Sequence, residues 1–377
     1  MPGIYLHIPF CKQACHYCNF HFSTSLKQKD AMLDAMLREL ELRQGYLPSR
    51  ELDSIYFGGG TPSLLDEAEL MRFFEAIGRY FALKPDAEIT LEANPDDLSR
   101  DKLQMLRRTP VNRLSIGIQS FFEEDLRFFN RAHDAREARA CLEDALAAGF
   151  PNLTIDLIYG APTTTDAHWA QNLELAFGYQ IPHISSYALT VEERTALHHF
   201  VQSGKVPPVD EEKAARQYEY LMAAMREQGY VHYEISNFAK PGCFARHNSS
   251  YWRGEPYLGL GPSAHSYDDE SRQWNLANNA RYVRALQEGG QDYFEVEHLT
   301  PAQRYNEYVM VGLRSIWGVE RARLRAMGAG FEAHFLEQLQ PFLHNGQAEW
   351  RGEAACLTDA GRLLADGIAA ELFLVEA

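Results

Sequence analysis

The apolar positions along the chain predict strands and helices in regular alternation. Apolar runs of strand length precede segments whose apolar residues repeat at helical spacing, as in the helix predicted from about Lys27 to Arg43. Asp66 and Glu69 have the spacing of a capping box, so another helix is expected to begin there. The strands of this alternation are predicted at residues 4–8, 54–57, 88–93, 113–118, 153–158 and 184–189. Six successive βα units are typical of an α/β protein with a parallel sheet that curls into an open (β/α)6 barrel, a partial TIM barrel.

The pattern changes after residue 235. Residues 236–267 contain many Gly, Pro and aromatic residues without a clear helical period, and helical spacing returns near residues 279–288 and 301–315. The last part of the chain predicts a helix, a short hairpin that turns at Arg351-Gly352, and a closing helix from about Thr358 to Phe373. We therefore predict a barrel over residues 1–235, an extension over residues 236–300 and a small C-terminal α+β domain of winged-helix type over residues 301–377.

Three of the six cysteines lie within eight residues, directly after the first predicted strand. They are Cys11, Cys15 and Cys18. Thiolates this close together in one loop favour a metal or an iron–sulfur cluster over disulfides. Three thiolates on a 4Fe–4S cluster leave one iron free, and that iron can bind S-adenosylmethionine (SAM) through its amino and carboxylate groups. A structural zinc site with one of three nearby histidines as fourth ligand is the alternative that the loop alone leaves open.

Polar residues and glycines occur at the ends of the predicted strands, where ligands bind in parallel βα folds. They are Gly58-Gly59-Gly60-Thr61-Pro62 after the second strand, Glu92 and Asn94 at the third, Gln119, Ser120, Arg131 and His133 after the fourth, and Asp156 within the fifth. Each alone is equally well explained as a cap, a turn or a salt bridge. Together they predict acid, amide and guanidinium groups around the cysteine loop, which a zwitterionic ligand with ribose hydroxyls requires.

The charge of the chain limits its partners. It has 36 Lys and Arg against 52 Asp and Glu, a formal net charge of −16. An acidic chain without a basic stripe argues against nucleic acid as a partner. The first residues show no basic start of a signal peptide, and no apolar run reaches the roughly 18 residues of a membrane span. We therefore expect a cytoplasmic protein without a membrane span, and peripheral contact with a membrane stays open.

In their order along the chain, these motifs resemble those of the radical-SAM family, and within it the HemN-like branch of coproporphyrinogen III dehydrogenases. The motifs are Cys11-x3-Cys15-x2-Cys18, Gly58-Gly59-Gly60-Thr61-Pro62, Glu92-Ala93-Asn94-Pro95, residues 115–121, Arg131-x-His133 and Asp156-Leu157-Ile158. The resemblance implies that the three cysteines hold a 4Fe–4S cluster. It also implies that SAM is bound by Tyr5, Tyr17, Gly59, Gly60, Thr61, Glu92, Gln119, Arg131, Asp156 and Ala188.

Two departures from the dehydrogenases and one further motif indicate a related branch, that of the haem chaperones (HemW). Phe20 stands where the dehydrogenases have a further cysteine, and the first predicted strand begins at residue 4, without their N-terminal extension. His247-Asn248-Ser249-Ser250-Tyr251-Trp252 is similar to the HNxxYW motif of the chaperone branch. The resemblance implies His247 as a ligand of haem iron, and the rings beside it offer flat apolar faces to a macrocycle.

The residues around His247 leave alternatives open. An isolated histidine in an aromatic-rich loop is more often part of the core than a ligand, and Cys243, Tyr251 and His265 are rival ligands. The hypothesis from the sequence is a haem chaperone that binds haem and passes it to an acceptor protein, with the cluster and SAM as cofactors. One alternative is a radical-SAM oxidoreductase of the coproporphyrinogen III dehydrogenase type. Another is a zinc-stabilised barrel with a winged-helix binding module.

Overall fold

Parallel strands form the wall of an open barrel in the computed structural model, which describes residues 2–290 and 292–375. Six of them follow the predicted order and pair in parallel with their neighbours: β1 (Gly3–Ile8), β2 (Glu51–Gly59), β3 (Ala82–Ala93), β4 (Arg113–Gln119), β5 (Leu153–Tyr159) and β6 (His183–Ala188). Helices connect them on the outside: α1 (Lys29–Leu42), α2 (Glu67–Tyr80), α3 (Arg100–Leu106), α4 (Glu123–Phe128), α5 (Ala135–Ala147) and α6 (Asp166–Gly178). The predicted open (β/α)6 barrel is confirmed.

Alternate residues of β1 face two different environments. Ile4, Leu6 and Ile8 are fully buried in the main apolar core, and removing each such side chain from water contributes about 1.5–3 kcal/mol. Successive side chains of a strand point to opposite faces, so Tyr5 and His7 lie on the other face, inside the barrel. The apolar face therefore fixes the strand in the fold, and the inner face is left for polar groups.

Capping boxes fix where two of the outer helices begin. The Asp66 side chain accepts a hydrogen bond from the backbone N–H of Glu69, whose carboxylate accepts one from the backbone N–H of Asp66. This confirms the start of α2 expected from the sequence. Asp134 and Glu137 make the same pair of bonds at the start of α5. Each cap satisfies backbone donors that a helix leaves open and stabilises it by about 1 kcal/mol.

The predicted extension adds strands to both edges of the barrel sheet. After α7 (Ala196–Gln202) and α8 (Glu211–Glu227), β8 (Asn237–Ala239) pairs antiparallel with both β6 and β7 (Val231–Glu234). The boundary predicted after residue 235 thus falls inside a hairpin. At the other edge, β9 (Tyr257–Leu260) pairs in parallel with β1. The sheet then continues through β10 (His265–Tyr267), β11 (Ser271–Asn275) and β12 (Phe294–His298), with α10 (Asn279–Gln287) outside it.

One helix within the extension was not expected. The sequence shows no helical period over residues 236–267, but α9 (Arg246–Trp252) lies there. Its first turn is held by Glu88 of β3, which accepts hydrogen bonds from the backbone N–H groups of Arg246 and His247, both at 3.1 Å. Because these residues are far apart along the chain, their contact produces no local sequence pattern from which α9 could have been predicted.

The C-terminal domain has its own apolar core. It contains α11 (Pro301–Leu313), β13 (Val319–Glu320), α12 (Arg321–Met327), α13 (Phe331–His344), the hairpin of β14 (Ala348–Arg351) and β15 (Ala354–Leu357), and then α14 (Asp359–Arg362) and α15 (Ala365–Glu371). The predicted winged-helix-like α+β arrangement is confirmed. The prediction of a single closing helix is wrong. A tight turn, in which the N–H of Leu364 donates to the carbonyl of Gly361, divides that segment into α14 and α15. Within the described ranges, no helix is long and apolar enough to cross a membrane.

One buried carboxylate holds the extension against the barrel. Glu39 of α1 accepts hydrogen bonds from the backbone N–H of Gly261 (2.9 Å), from the amide of Asn275 (2.8 Å) and from the Tyr282 hydroxyl. Burial raises the pKa of Glu39, and the nearby Arg43 guanidinium opposes this rise. Three elements of the extension therefore depend on one side chain of the barrel.

We predict that Glu39→Ala destabilises the protein by about 3–5 kcal/mol, because removing the carboxylate leaves the Gly261 N–H and the Tyr282 hydroxyl buried without this acceptor. Thermal unfolding should show a clearly lowered Tm. Glu41→Ala is the matched control, since Glu41 lies on the same helix, is exposed, and pairs with Arg38 at the surface. Equal Tm values for the two variants would contradict the role assigned to Glu39.

Candidate cofactor site

A cavity of about 410 Å³ lies at the carboxyl ends of the barrel strands. Every residue that the resemblance assigns to the cluster or to SAM lines it, except Tyr5. These residues are Cys11, Cys15, Cys18, Tyr17, Gly59, Gly60, Thr61, Glu92, Gln119, Arg131, Asp156 and Ala188. The parallel sheet brings them together because most of them end or follow a strand at the same edge, and Asp156 projects from within β5.

Glycine is required where the end of β2 passes the cysteine loop. A Cβ atom on Gly60 would lie 2.7 Å from the carbonyl oxygens of Ile8 and Phe10, closer than such atoms approach. Gly59 has a φ of +101°, a backbone conformation that favours glycine. The glycine run therefore serves a close approach of two backbones beside the cavity.

Arg131 connects the cysteine loop to the ends of β3 and β4. Its guanidinium donates hydrogen bonds to the Cys15 sulfur (3.3 Å), to the Asn94 side-chain oxygen (2.5 Å) and to the Gly117 carbonyl (2.8 Å). The remaining Nε–H is buried and has no hydrogen-bond partner among the described residues. A buried donor without a partner fits a ligand that carries a carboxylate.

Two carboxylates with raised pKa values face the same cavity. Burial raises the pKa of Glu92 to about 7, against the hydrogen bond from the Tyr56 hydroxyl (2.7 Å), and the charge of Asp156 adds to the rise. Burial likewise raises the pKa of Asp156 to about 6, although the Ser185 hydroxyl and Arg131 oppose it. Two carboxylates whose ionised forms are disfavoured gain from a cationic ligand, and SAM carries both an ammonium and a sulfonium charge.

The thiols of the loop are partly buried beside the cavity. Burial raises the pKa of Cys11 to about 11 and also raises the pKa of Cys18, so cations are needed to hold them as thiolates. In the part of the chain that the structure describes, no three His, Cys, Asp or Glu side chains converge closely enough to hold one metal ion. A 4Fe–4S cluster presents a different iron to each thiolate, so its three sulfurs need not converge on one ion.

Backbone strain marks Gln119. It has a φ of +66° at the end of β4, which is uncommon for a residue other than glycine and is found more often at functional sites. Ser115, Tyr187 and Glu192 also line the cavity and were not expected there. The signal for Ser115 was present in the sequence, since it is a polar residue in the middle of a buried strand.

Some of the predicted site residues do not line the cavity. Tyr5 packs against Tyr56, with ring centroids 6.0 Å apart, and its contact with SAM stays a prediction. The Ser120 hydroxyl donates to Asp125 (2.7 Å), and the His133 ring contacts the Ile118 carbonyl at 3.2 Å. Ser120 and His133 therefore support the shape of the loops around the site.

His247 is buried, and both of its ring nitrogens are hydrogen bonded. Nδ1 lies 2.8 Å from the Ser54 hydroxyl, and Nε2 lies 2.7 Å from the Tyr251 hydroxyl. Burial, together with the Arg113 charge, lowers the pKa of His247 to about 3, so the ring is neutral. His247 as a haem ligand stays a prediction, and in this arrangement one of its two hydrogen bonds would have to open for iron to bind.

Fold and site together define a radical-SAM protein. The model of the Radical SAM superfamily matches residues 5–176, and that of the HemN C-terminal domain matches residues 299–364. The solved structure of coproporphyrinogen III oxidase (HemN) from Escherichia coli, described as a radical SAM enzyme, superimposes with a TM-score of 0.85 at 25% sequence identity. The similarity covers 99% of this chain and 90% of that one.

Relatives of higher sequence identity show to which branch of this superfamily the chain belongs. The protein named heme chaperone HemW of Bacillus subtilis (strain 168) is 34% identical over 98% of this chain and 98% of its own length. HemW of Escherichia coli (strain K12) is 32% identical over 99% of this chain and 98% of its own length. The chain belongs to the HemW family of the radical-SAM superfamily.

We predict that Cys15→Ala abolishes cluster assembly, because one iron would lose its only thiolate. After anaerobic reconstitution, the unchanged protein should contain about four iron and four sulfide per chain, with the absorbance of an iron–sulfur cluster. Cys243→Ala is the control, since Cys243 does not line the cavity, and it should retain the cluster. Stoichiometric zinc without iron–sulfur absorbance in the unchanged protein would contradict the assignment.

Proposed function

We propose that the protein is a haem chaperone, which binds haem and transfers it to an acceptor protein, and that it carries a 4Fe–4S cluster and SAM. The observation that carries this proposal is the similarity to relatives named heme chaperone, which extends over nearly the whole length of both chains. The acidic chain argues against a nucleic-acid partner. We also propose that the protein acts in the cytoplasm, where the clustered thiols would stay reduced.

The cofactor cavity supports binding of the cluster and SAM through the chain's own residues. Gly59, Gly60 and Thr61 would lie at the amino end of SAM, and Glu92 would pair with its positive charge. The buried Nε–H of Arg131, which has no partner among the described residues, would donate to the carboxylate. Gln119 and Asp156 would bind the ribose hydroxyls. When bound together, the cluster and SAM supply radical chemistry, and the protein supplies orientation and charge matching.

A second candidate function is a radical-SAM oxidoreductase that acts on a porphyrinogen. The high structural similarity to coproporphyrinogen III oxidase favours it. Phe20 argues against this function. It is 68% exposed and occupies the position where, by the resemblance, the dehydrogenases have a further cysteine. A phenyl ring can neither ligate iron nor take part in thiol chemistry, so the chaperone is the better supported proposal.

We predict that SAM affinity falls when the pH is lowered from 8 to 6. Glu92 has a pKa raised to about 7, so protonation below that value removes the charge that attracts the cation. Glu92→Gln should weaken binding at pH 8 by about tenfold to a hundredfold, the worth of a charge-assisted hydrogen bond. It should also reduce the pH dependence to the part contributed by Asp156.

Isothermal titration of SAM into anaerobically reconstituted protein measures both effects. Glu75→Gln on the exposed face of α2 is the matched control and should behave as the unchanged protein. A Glu92→Gln variant with unchanged affinity and the full pH dependence would show that Glu92 does not contact the cofactor.

We predict that the protein binds haem and does not convert coproporphyrinogen III to protoporphyrinogen IX at a useful rate. Both measurements belong on the same reconstituted sample, with titration of haem followed by absorbance and product formation followed by chromatography. Rapid turnover would overturn the chaperone in favour of the oxidoreductase. Absence of haem binding would also overturn it.

A further inference from the structure

A second cavity, of about 330 Å³, lies between the edge strands of the extension and the C-terminal domain. Its volume falls in the roughly 300–1,000 Å³ range of small-molecule sites. Tyr251, Tyr257, Tyr267 and Tyr308 contribute aromatic rings to its wall. The cavity is thus bounded by flat side chains that suit a flat ligand.

Strand register places several of these groups on the inner face of the barrel sheet. Tyr257 is paired with Gly3 of β1 on one side and with Tyr267 on the other, and Tyr267 is paired with Arg272. Directly paired residues share a face, and His265, two residues before Tyr267, shares it as well. The second cavity therefore lies on the same face of the sheet as the cofactor site, but near the amino end of β1.

His265 differs from His247 in the hydrogen bonding of its ring nitrogens. Its side chain is exposed in the cavity, and neither ring nitrogen has a hydrogen-bond partner in residues 2–290 and 292–375. Partial burial, together with the Arg272 charge, lowers the pKa of His265, so the neutral form that ligates metals is favoured. His247 has neither nitrogen free.

The cavity also contains an arginine that is available to an anion. Arg272 is paired with Glu307 at 2.9 Å, and Arg323 lies over the Tyr308 ring at 4.4 Å. Arg304, by contrast, is half-buried in the cavity wall, and its guanidinium has no ion pair or hydrogen bond to another described residue. A guanidinium in this position matches a carboxylate such as a haem propionate.

We propose that this cavity binds haem, with His265 as an axial ligand of the iron and Arg304 paired with a propionate. The inference rests on the proposed chaperone function and goes further by naming the site and the ligand atom. His247 then acts as a positioning residue, because its hydrogen bond to the Tyr251 hydroxyl holds that ring in the cavity wall. A wall formed partly by a separate domain suits a carrier that must release its cargo.

The test is titration of haem into the full-length reconstituted protein and into four variants, followed by the Soret absorbance. His265→Ala should weaken binding on the order of a hundredfold or more, since an iron ligand is lost, and should shift the Soret band. Added imidazole should restore the spectrum of this variant. Arg304→Gln should weaken binding without a spectral shift, because the iron ligands are unchanged.

The other two variants separate a ligand from a structural residue. His247→Ala should lower the Tm but keep the axial-ligand spectrum. His298→Ala is the matched control, because His298 is an exposed histidine on β12 of the same sheet, and it should bind haem as the unchanged protein does. Iron–sulfur content should stay the same in all variants, since the cysteine loop is a separate site.

The outcomes distinguish this inference from the function on which it rests. If the unchanged protein binds no haem, the chaperone proposal fails. If it binds haem and His265→Ala retains the same affinity and spectrum, only the assignment to His265 fails. A spectral shift confined to His247→Ala would overturn the assignment in favour of His247.

Discussion

The buried guanidinium of Arg131 is the contact on which the arrangement of the cofactor site depends. It joins the sulfur of Cys15 to the side chain of Asn94 and to the backbone of Gly117, so that one cation fixes the cysteine loop over the ends of two strands. An arginine keeps its charge in such surroundings, since its pKa lies far above neutral pH. Because the three acceptors come from separate segments of the chain, these bonds form only where the sheet brings β3 and β4 beside the loop. The geometry of the cluster loop is therefore a consequence of the fold and not of the loop alone.

The sequence was sufficient to predict the barrel and the main part of the cofactor site for one physical reason. In a parallel βα fold, all strands end at the same edge, so residues distant in sequence become neighbours once the strands are located. Glu92, Gln119 and Asp156 were selected only because each ends or interrupts a predicted strand, and all three line one cavity. Tyr5 lies outside that lining although it is on the inner face. Its ring packs against Tyr56, whose hydroxyl donates to Glu92.

The extension was harder to predict, because its structure depends on contacts across the sheet. The short helix α9 begins where Glu88 accepts hydrogen bonds from the backbone N–H groups of Arg246 and His247. Strand β9 joins the sheet by pairing with the edge of β1. A sequence motif also identifies residue types, but it does not show which of their atoms are already hydrogen bonded. His247 stands in the recognisable motif with both nitrogens occupied, whereas His265 stands in a less distinctive segment with both nitrogens free of hydrogen bonds to described residues.

His247 lies between the two cavities, and its chemistry limits what can pass between them. Its Nε2 contacts the Tyr251 hydroxyl in the wall of the second cavity. Its ring stacks on the ring of Tyr56, with centroids 5.1 Å apart, and the Tyr56 hydroxyl donates to Glu92 in the cofactor site. Contact alone is not coupling, which requires an element with two arrangements. A pKa of about 3 keeps the imidazole neutral, with one donor and one acceptor nitrogen, while the hydroxyls of Ser54 and Tyr251 can each donate or accept. The hydrogen bonds through His247 can therefore reverse direction without moving a heavy atom, but the ring cannot take up a proton at neutral pH. Any influence of one cavity on the other through this residue must act through dipole orientation and packing, and not through net charge.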